Sequence, residues 1–221
     1  MRGGRLKTCF TMAFLGLVAT TGVLASEANT NARDWNFDVY LDDSRIGFHR
    51  FSIEESNDGE LRLQAEAKFD VRFLFFNAFR YRHRIEETWS GDCLVALEAT
   101  TDSNGKSSAV GGMLTESGFL VEQGDQSREL ERCVMTFAYW NPAFLEQPRL
   151  LNPQTGEYVD VDVTAVGNGT LELNGRTVDA RGYKIHARNM EVTVWYSVSG
   201  EWVALESPAK GGRTLRYELS T

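Results

Sequence analysis

The chain has few of the residues and none of the short motifs on which common enzyme classes depend. Its 221 residues include three histidines, three cysteines and four prolines. It contains no GxSxG, HExxH, CxxC, GxGxxG or P-loop pattern, the motifs that carry nucleophilic, zinc, redox and nucleotide chemistry. The sequence therefore predicts no catalytic residue, no metal site and no cofactor.

Positive charge is also scarce. The chain has 23 Lys and Arg against 31 Asp and Glu, which gives a formal net charge of −8. Residues 1–25 carry three basic and no acidic residues, so the chain without them has a net charge of −11. This excess of acid argues against nucleic acid as a partner and against adhesion to an anionic membrane through bulk charge.

A long apolar run occurs only near the N-terminus. Arg2, Arg5 and Lys7 precede an apolar stretch from Cys9 to Ala25 that ends in small residues, a pattern typical of a secretory signal peptide. An uncleaved anchor is the alternative, although the run falls short of the ~20 residues of a spanning helix.

The expected organisation follows from this leader. We expect a signal peptide over 1–25, a flexible mature N-terminus over 26–33 and a single β-rich domain over 34–221. No later run is long enough to cross a bilayer, so we expect no transmembrane anchor after cleavage and a periplasmic or secreted location.

Two cysteines, Cys93 and Cys133, remain beyond the leader. An even count in an exported chain favours one disulfide bond. Two buried free thiols are the alternative.

Alternation of apolar and polar residues dominates the rest of the chain. It is clear in the runs 35–41, 61–70, 159–165, 192–198 and 215–219, and it is typical of strands with one buried face. Asn-Gly, Asp-Gly and similar turn signals separate the runs at intervals near ten residues. The fold class predicted is all-β, an antiparallel meander of about a dozen strands that forms a barrel, half-barrel or curved two-sheet roll.

The stretch from Tyr139 to Tyr158 has three prolines and no alternation. Asn141 followed by Pro142 is typical of an N-cap and the first helical position. We expect a short helical turn over Pro142–Glu146, followed by an ordered loop.

The segment FRYRHRIEETWSGDC, Phe79 to Cys93, has charged, polar and aromatic side chains on both faces of a predicted strand. Arg80, Arg82 and Arg84 share one face, and the other face has Tyr81, His83, Glu87 and Trp89. Residues 68–84 hold five basic residues and one acid. The arginines either pair with acids on neighbouring strands or form an anion-recognition patch.

His83 and Glu87 are four residues apart, roughly 13 Å along an extended strand. A direct acid–base pair is therefore not supported, and polar groups satisfied in a semi-buried lining are favoured. His49 and His186 are isolated and are expected to be surface or sheet-face residues.

Aromatic residues are abundant, with 25 Phe, Trp and Tyr. They either fill the core or line a pocket for an apolar chain. Under the pocket hypothesis, the ligand-binding candidates are Arg72, Phe73, Phe75, Arg80, Tyr81, Arg82, His83, Arg84, Glu87 and Trp89.

Four blocks of the chain carry a family resemblance: WNFDVYLDDSRIGFHRFSI, AKFDVRFLFFNAFRYRHRIEETWSGDCL, MTFAYWNPAFL and LLNPQTGEY. With them the chain resembles the bacterial exported family called domain of unknown function 6134. The resemblance implies a β-rich periplasmic or secreted protein of Gram-negative bacteria and supplies no catalytic residue. A likeness to envelope half-barrels such as lipoprotein carriers lies at the level of fold alone.

Three functional hypotheses follow. The leading one is non-catalytic binding of an amphiphilic or anionic ligand, such as a lipid or small amphiphile, in the cell envelope. The second is a structural protein that docks to another envelope protein. The third and weakest is a hydrolase of envelope material.

Overall fold

The computed structural model describes residues 32–73, 76–188 and 190–220, without the side chains of residues 72–77. The leader and residues 26–31 of the expected N-terminus lie outside this part of the chain. The described strands are β1 Arg33–Leu41, β2 Ser44–Glu55, β3 Glu60–Phe73, β4 Phe76–Ser90, β5 Cys93–Ser103, β6 Lys106–Leu114, β7 Phe119–Gln123, β8 Gln126–Leu130, β9 Arg149–Leu151, β10 Tyr158–Asp160, β11 Asp162–Leu173, β12 Arg176–Ala187, β13 Met190–Ser197, β14 Trp202–Ala209 and β15 Arg213–Leu219.

Thirteen of these strands form one antiparallel sheet in the order β11-β12-β13-β14-β15-β1-β2-β3-β4-β5-β6-β7-β8. Consecutive strands pair within β1–β8 and within β11–β15, and the pairing of β15 with β1 joins the two series. Among the described residues the sheet does not close, because β8 and β11 remain as edges. The predicted all-β antiparallel meander is confirmed, as an open sheet. Strands β9 and β10 make a separate two-stranded sheet.

The alternation explains which face of the sheet is buried. On β1, Trp35, Phe37 and Val39 are buried, while the intervening residues are more exposed. Directly paired residues of antiparallel strands share a face, so His49 opposite Phe37 and Tyr217 opposite Val39 also point to the inner face. The inner face is the one that packs into the main core.

Gly47 permits a close approach between β2 and β3. A Cβ atom at this position would lie 1.8 Å from the backbone oxygen of Lys68. The pairing of β1 with β2 shifts register between Val39 and Tyr40, next to this point. Only glycine fits there without moving the backbone of β3.

The connection between β8 and β11, residues 131–161, runs along the inner face and is called here the central segment. Its buried residues are Val134, Met135, Thr136, Ala138, Trp140, Phe144, Leu150 and Leu151. Trp140 packs edge-on against Trp89 of β4, with ring centroids 5.6 Å apart. The neighbouring Tyr139 lies 5.4 Å from Trp202 of β14. Because β4 and β14 are far apart in the sheet order, the sheet curves around this segment.

The central segment is tied to the sheet near its start. A disulfide bond joins Cys93, at the beginning of β5, to Cys133. The backbone nitrogen of Leu94 donates to the oxygen of Val134 at 3.0 Å. The disulfide predicted from the cysteine count is therefore confirmed, and it fixes where the segment enters the core.

The helical turn is confirmed as a 3-10 helix over Pro142–Glu146. The side chain of Asn141 caps it by accepting from the backbone nitrogen of Ala143 at 3.0 Å, and donates to Asp92 at 2.9 Å. Within the described ranges, no helix has the length and apolar character needed to span a bilayer.

Candidate functional site

A cavity of about 220 Å³ lies between the inner face of the sheet and the central segment. Its polar wall groups include His49 of β2, His83 and Glu87 of β4, and Thr136 of the central segment. The rest of the wall is mainly apolar or aromatic and includes Phe51, Leu63, Ala67, Tyr81, Ile85, Phe137, Tyr139, Trp140, Val192, Leu205 and Tyr217. A mostly apolar wall with a few buried polar groups is the usual composition of a small-molecule site.

His83 is buried, with 5% of its surface exposed. Its Nδ1 atom lies 3.0 Å from the hydroxyl of Thr101 and 3.2 Å from the carbonyl oxygen of Thr100. Burial lowers the pKa of His83, because the charged imidazolium would lose its hydration. The ring is therefore neutral at pH 7, and Nδ1 can donate its proton to the Thr100 carbonyl.

Glu87 is buried to the same degree, with 4% exposed. Its Oε2 atom accepts from the indole nitrogen of Trp89 at 3.0 Å, and its carboxylate also bonds to the side chain of Thr136. Burial raises the pKa of Glu87 to about 7, and the two hydrogen bonds oppose this rise only in part. Glu87 is thus divided between its neutral and ionised forms near neutral pH.

His49 lies on the inner face and forms part of the cavity wall. Its ring packs against Phe51, with centroids 4.1 Å apart, and edge-on to Tyr217 at 5.7 Å. Both ring nitrogens are buried, and neither has a hydrogen-bond partner among the described residues. Burial, with a smaller contribution from His83, lowers the pKa of His49 to about 3.

The three arginines singled out in the sequence lie on the opposite, outer face. Arg82 forms a salt bridge with Asp70 at 2.9 Å, and Arg84 one with Glu66 at 3.2 Å. Arg80 lies 4.0 Å from Asp102. The arginines thus pair with acids on neighbouring strands, which was one of the two expectations for them.

The seven ligand-binding candidates whose side chains are described are therefore divided between two faces. The structure brings Tyr81, His83 and Glu87 together in the cavity wall. Trp89 is fully buried and supports Glu87. The side chains of Arg72 and Phe73, and the whole of Phe75, lie outside the described part of the chain.

Sequence reasoning missed the central segment as a wall of the site, together with His49, Phe51 and Tyr217. The position of His49 was predictable from the sequence, because His49, Phe51 and Ile53 are spaced two residues apart and so share one face of β2. The central segment carried no periodic signal, although its aromatic-rich MTFAYWN sequence is unusual for an exposed loop.

Comparison with known proteins gives a family. The family profile described as Domain of unknown function (DUF6134) matches residues 37–220. The chain belongs to this family. The match covers β2 to β15 and most of β1, so the cavity wall lies within the DUF6134 domain. No curated protein matches the chain.

Among solved structures, the DUF6134 chain is similar to a beta-barrel-like protein of the domain of unknown function DUF1849 from Brucella abortus. The TM-score is 0.57 at 10% sequence identity, and the alignment covers 85% of this chain and 95% of the other. At this identity the likeness shows the fold alone.

Proposed function

We propose that this protein is an exported component of the bacterial cell envelope that binds a small amphiphilic ligand without chemical turnover. The observation that carries the proposal is the cavity of about 220 Å³ between the curved sheet and the central segment. Its wall is mostly apolar, with the buried polar side chains of His83, Glu87 and Thr136 and the less buried Asn152, Gln154 and Ser207. Such a site binds the apolar part of a ligand by desolvation and orients it through those few polar groups.

Export is part of the proposal. It is supported by the leader-like pattern of residues 1–25 and by the disulfide bond between Cys93 and Cys133, since such bonds persist in oxidising compartments.

The three arginines of β4 are not part of the proposed cavity site. Because Arg80, Arg82 and Arg84 point away from the cavity, they do not contribute to binding inside it. An anion-binding role for these residues would use the outer face, where each would first have to leave its carboxylate partner.

Titration with the uncharged fluorophore N-phenyl-1-naphthylamine tests cavity binding. We expect saturable binding at one site per chain. Ala67→Met places a longer side chain between His49 and His83 and should weaken binding by about tenfold, the equivalent of ~1.4 kcal/mol. The matched control Lys68→Met changes an exposed residue on the outer face and should leave the affinity unchanged. Absence of saturable binding, or equal affinity in both variants, would contradict the proposal.

A hydrolase is the alternative for which the structure offers one relevant contact, between His83 and Thr101. As a base, Nδ1 of His83 would have to accept the hydroxyl proton of Thr101. The same nitrogen lies 3.2 Å from the Thr100 carbonyl, which can only accept. A neutral ring that donates Nδ1–H to this carbonyl has no lone pair on Nδ1 for Thr101, so binding is favoured over hydrolysis.

A further inference from the structure

We propose that the cavity recognises an organic cation, an ammonium or quaternary ammonium group, with Glu87 as its counter-ion and aromatic rings as its walls. This inference rests on the proposed function and specifies the polar group of the ligand. The geometry that supports it is a buried carboxylate in an aromatic-lined cavity.

Among the described residues, Glu87 is an acid without a basic partner. Its two hydrogen bonds come from the neutral donors Trp89 and Thr136. None of the ion pairs formed by the described residues includes Glu87. A buried carboxylate without a counter-ion is costly in its ionised form, and a ligand cation in the cavity would supply the missing charge.

The walls around Glu87 suit a cation better than an anion. Six aromatic residues line the cavity: Phe51, Tyr81, Phe137, Tyr139, Trp140 and Tyr217. The face of an aromatic ring attracts a cation, and the attraction is strongest where water is excluded. Within the described ranges, the cavity wall contains no Lys and no Arg.

The other titratable groups of the wall stay neutral around pH 7. Burial lowers the pKa values of His49 and His83. It raises the pKa values of Tyr81, Tyr139 and Tyr217 above the ordinary tyrosine range. Glu87 is thus the group of the described wall that changes charge near neutrality, and the change is from neutral to negative. The overall negative charge of the chain also favours the approach of cations.

Choline and its uncharged isostere 3,3-dimethylbutan-1-ol test the inference directly, because they share a shape and differ in charge. Isothermal titration at pH 8 should show choline binding at least about tenfold more tightly. Glu87→Gln should reduce this preference to the smaller part that the aromatic rings supply. The matched control Glu86→Gln, exposed on the outer face one position away, should keep it.

A second part of the experiment uses the wild-type protein, so that the test does not depend on whether the Glu87→Gln variant folds. Because Glu87 must be ionised to act as counter-ion, and its pKa is about 7, choline affinity should rise about tenfold from pH 6 to pH 8. The affinity for 3,3-dimethylbutan-1-ol should not rise.

The outcomes separate the two proposals. Equal or tighter binding of the uncharged isostere, a choline affinity independent of pH, or a preference retained in full by Glu87→Gln would overturn the cation assignment. If N-phenyl-1-naphthylamine binds and choline does not, the cation assignment fails and the cavity proposal stands. If neither binds, both fail.

Discussion

At the scale of single residues, His49 is the group whose environment differs most from what an imidazole requires. Both ring nitrogens are buried without a partner among the described residues, and a buried polar atom left unpaired costs about 1–3 kcal/mol. The ring is held by packing against Phe51 and Tyr217. A polar residue kept at such a cost in the wall of a cavity is consistent with a role in the site rather than in the core.

His49→Phe should therefore stabilise the protein, and more so in acid. The pKa of His49 is about 3 in the folded chain, against 6.5 ordinarily. Below pH 6.5 His49 binds a proton in the unfolded chain but stays unprotonated in the folded chain. The wild type therefore loses stability as the pH falls. Between pH 7 and pH 5 the variant should gain about 2 kcal/mol relative to the wild type, measured by urea unfolding at both values.

Comparison of the two proteins at each pH is necessary because Glu87 acts in the opposite direction. Its raised pKa means that the folded chain binds the extra proton between about pH 4.5 and pH 7, so this group adds stability as the pH falls. Because Glu87 is present in both proteins, its contribution cancels in the difference between their free energies of unfolding. His186→Phe, at an exposed position, is the control. A difference between His49→Phe and wild type that does not grow in acid would contradict the assignment.

At the scale of elements, the disulfide bond and the central segment depend on each other. The bond closes a loop across 40 residues of sequence and fixes the entry of the segment into the core next to β5. We expect the double variant Cys93→Ser, Cys133→Ser to lose about 4 kcal/mol on the chain-entropy account.

Urea unfolding measures this loss, with the reduced wild type as control. The reduced wild type and the double variant should agree, since both lack the same constraint. A loss of less than about 1 kcal/mol would mean that the segment holds its place in the core without the bond.

Sequence patterns predict some elements well, because the interactions that form them are local. The alternation over 61–70 corresponds to β3, and Asn141-Pro142 marks the start of the 3-10 helix. The alternation over 192–198 fails at its end. Val198 is 89% exposed, because the chain has already turned, with the nitrogen of Ser197 bonded to the oxygen of Glu201.

The candidate site was predictable only in part, for a physical reason. Alternation places Tyr81, His83 and Glu87 on one face of β4, and the structure agrees. The same pattern cannot say what lies opposite that face. Tyr139 and Trp140 reach the cavity through packing against distant strands, and no local signal encodes such contacts.

At the scale of the whole molecule, the open sheet and the central segment together form the core, because the segment covers the inner face of the sheet. An open antiparallel sheet of thirteen strands has a large apolar inner face to cover. The central segment covers that face, as the contacts of Tyr139 and Trp140 with opposite halves of the sheet show. The space left between them is the cavity, so the fold and the proposed site have the same origin.

Native mass spectrometry of the purified protein tests the proposed cavity binding most directly. We expect one noncovalent small-molecule adduct per chain, with lower occupancy in Ala67→Met and unchanged occupancy in Lys68→Met. A chain that carries no adduct under the gentlest ionisation conditions, or an adduct that Ala67→Met retains in full, would contradict it.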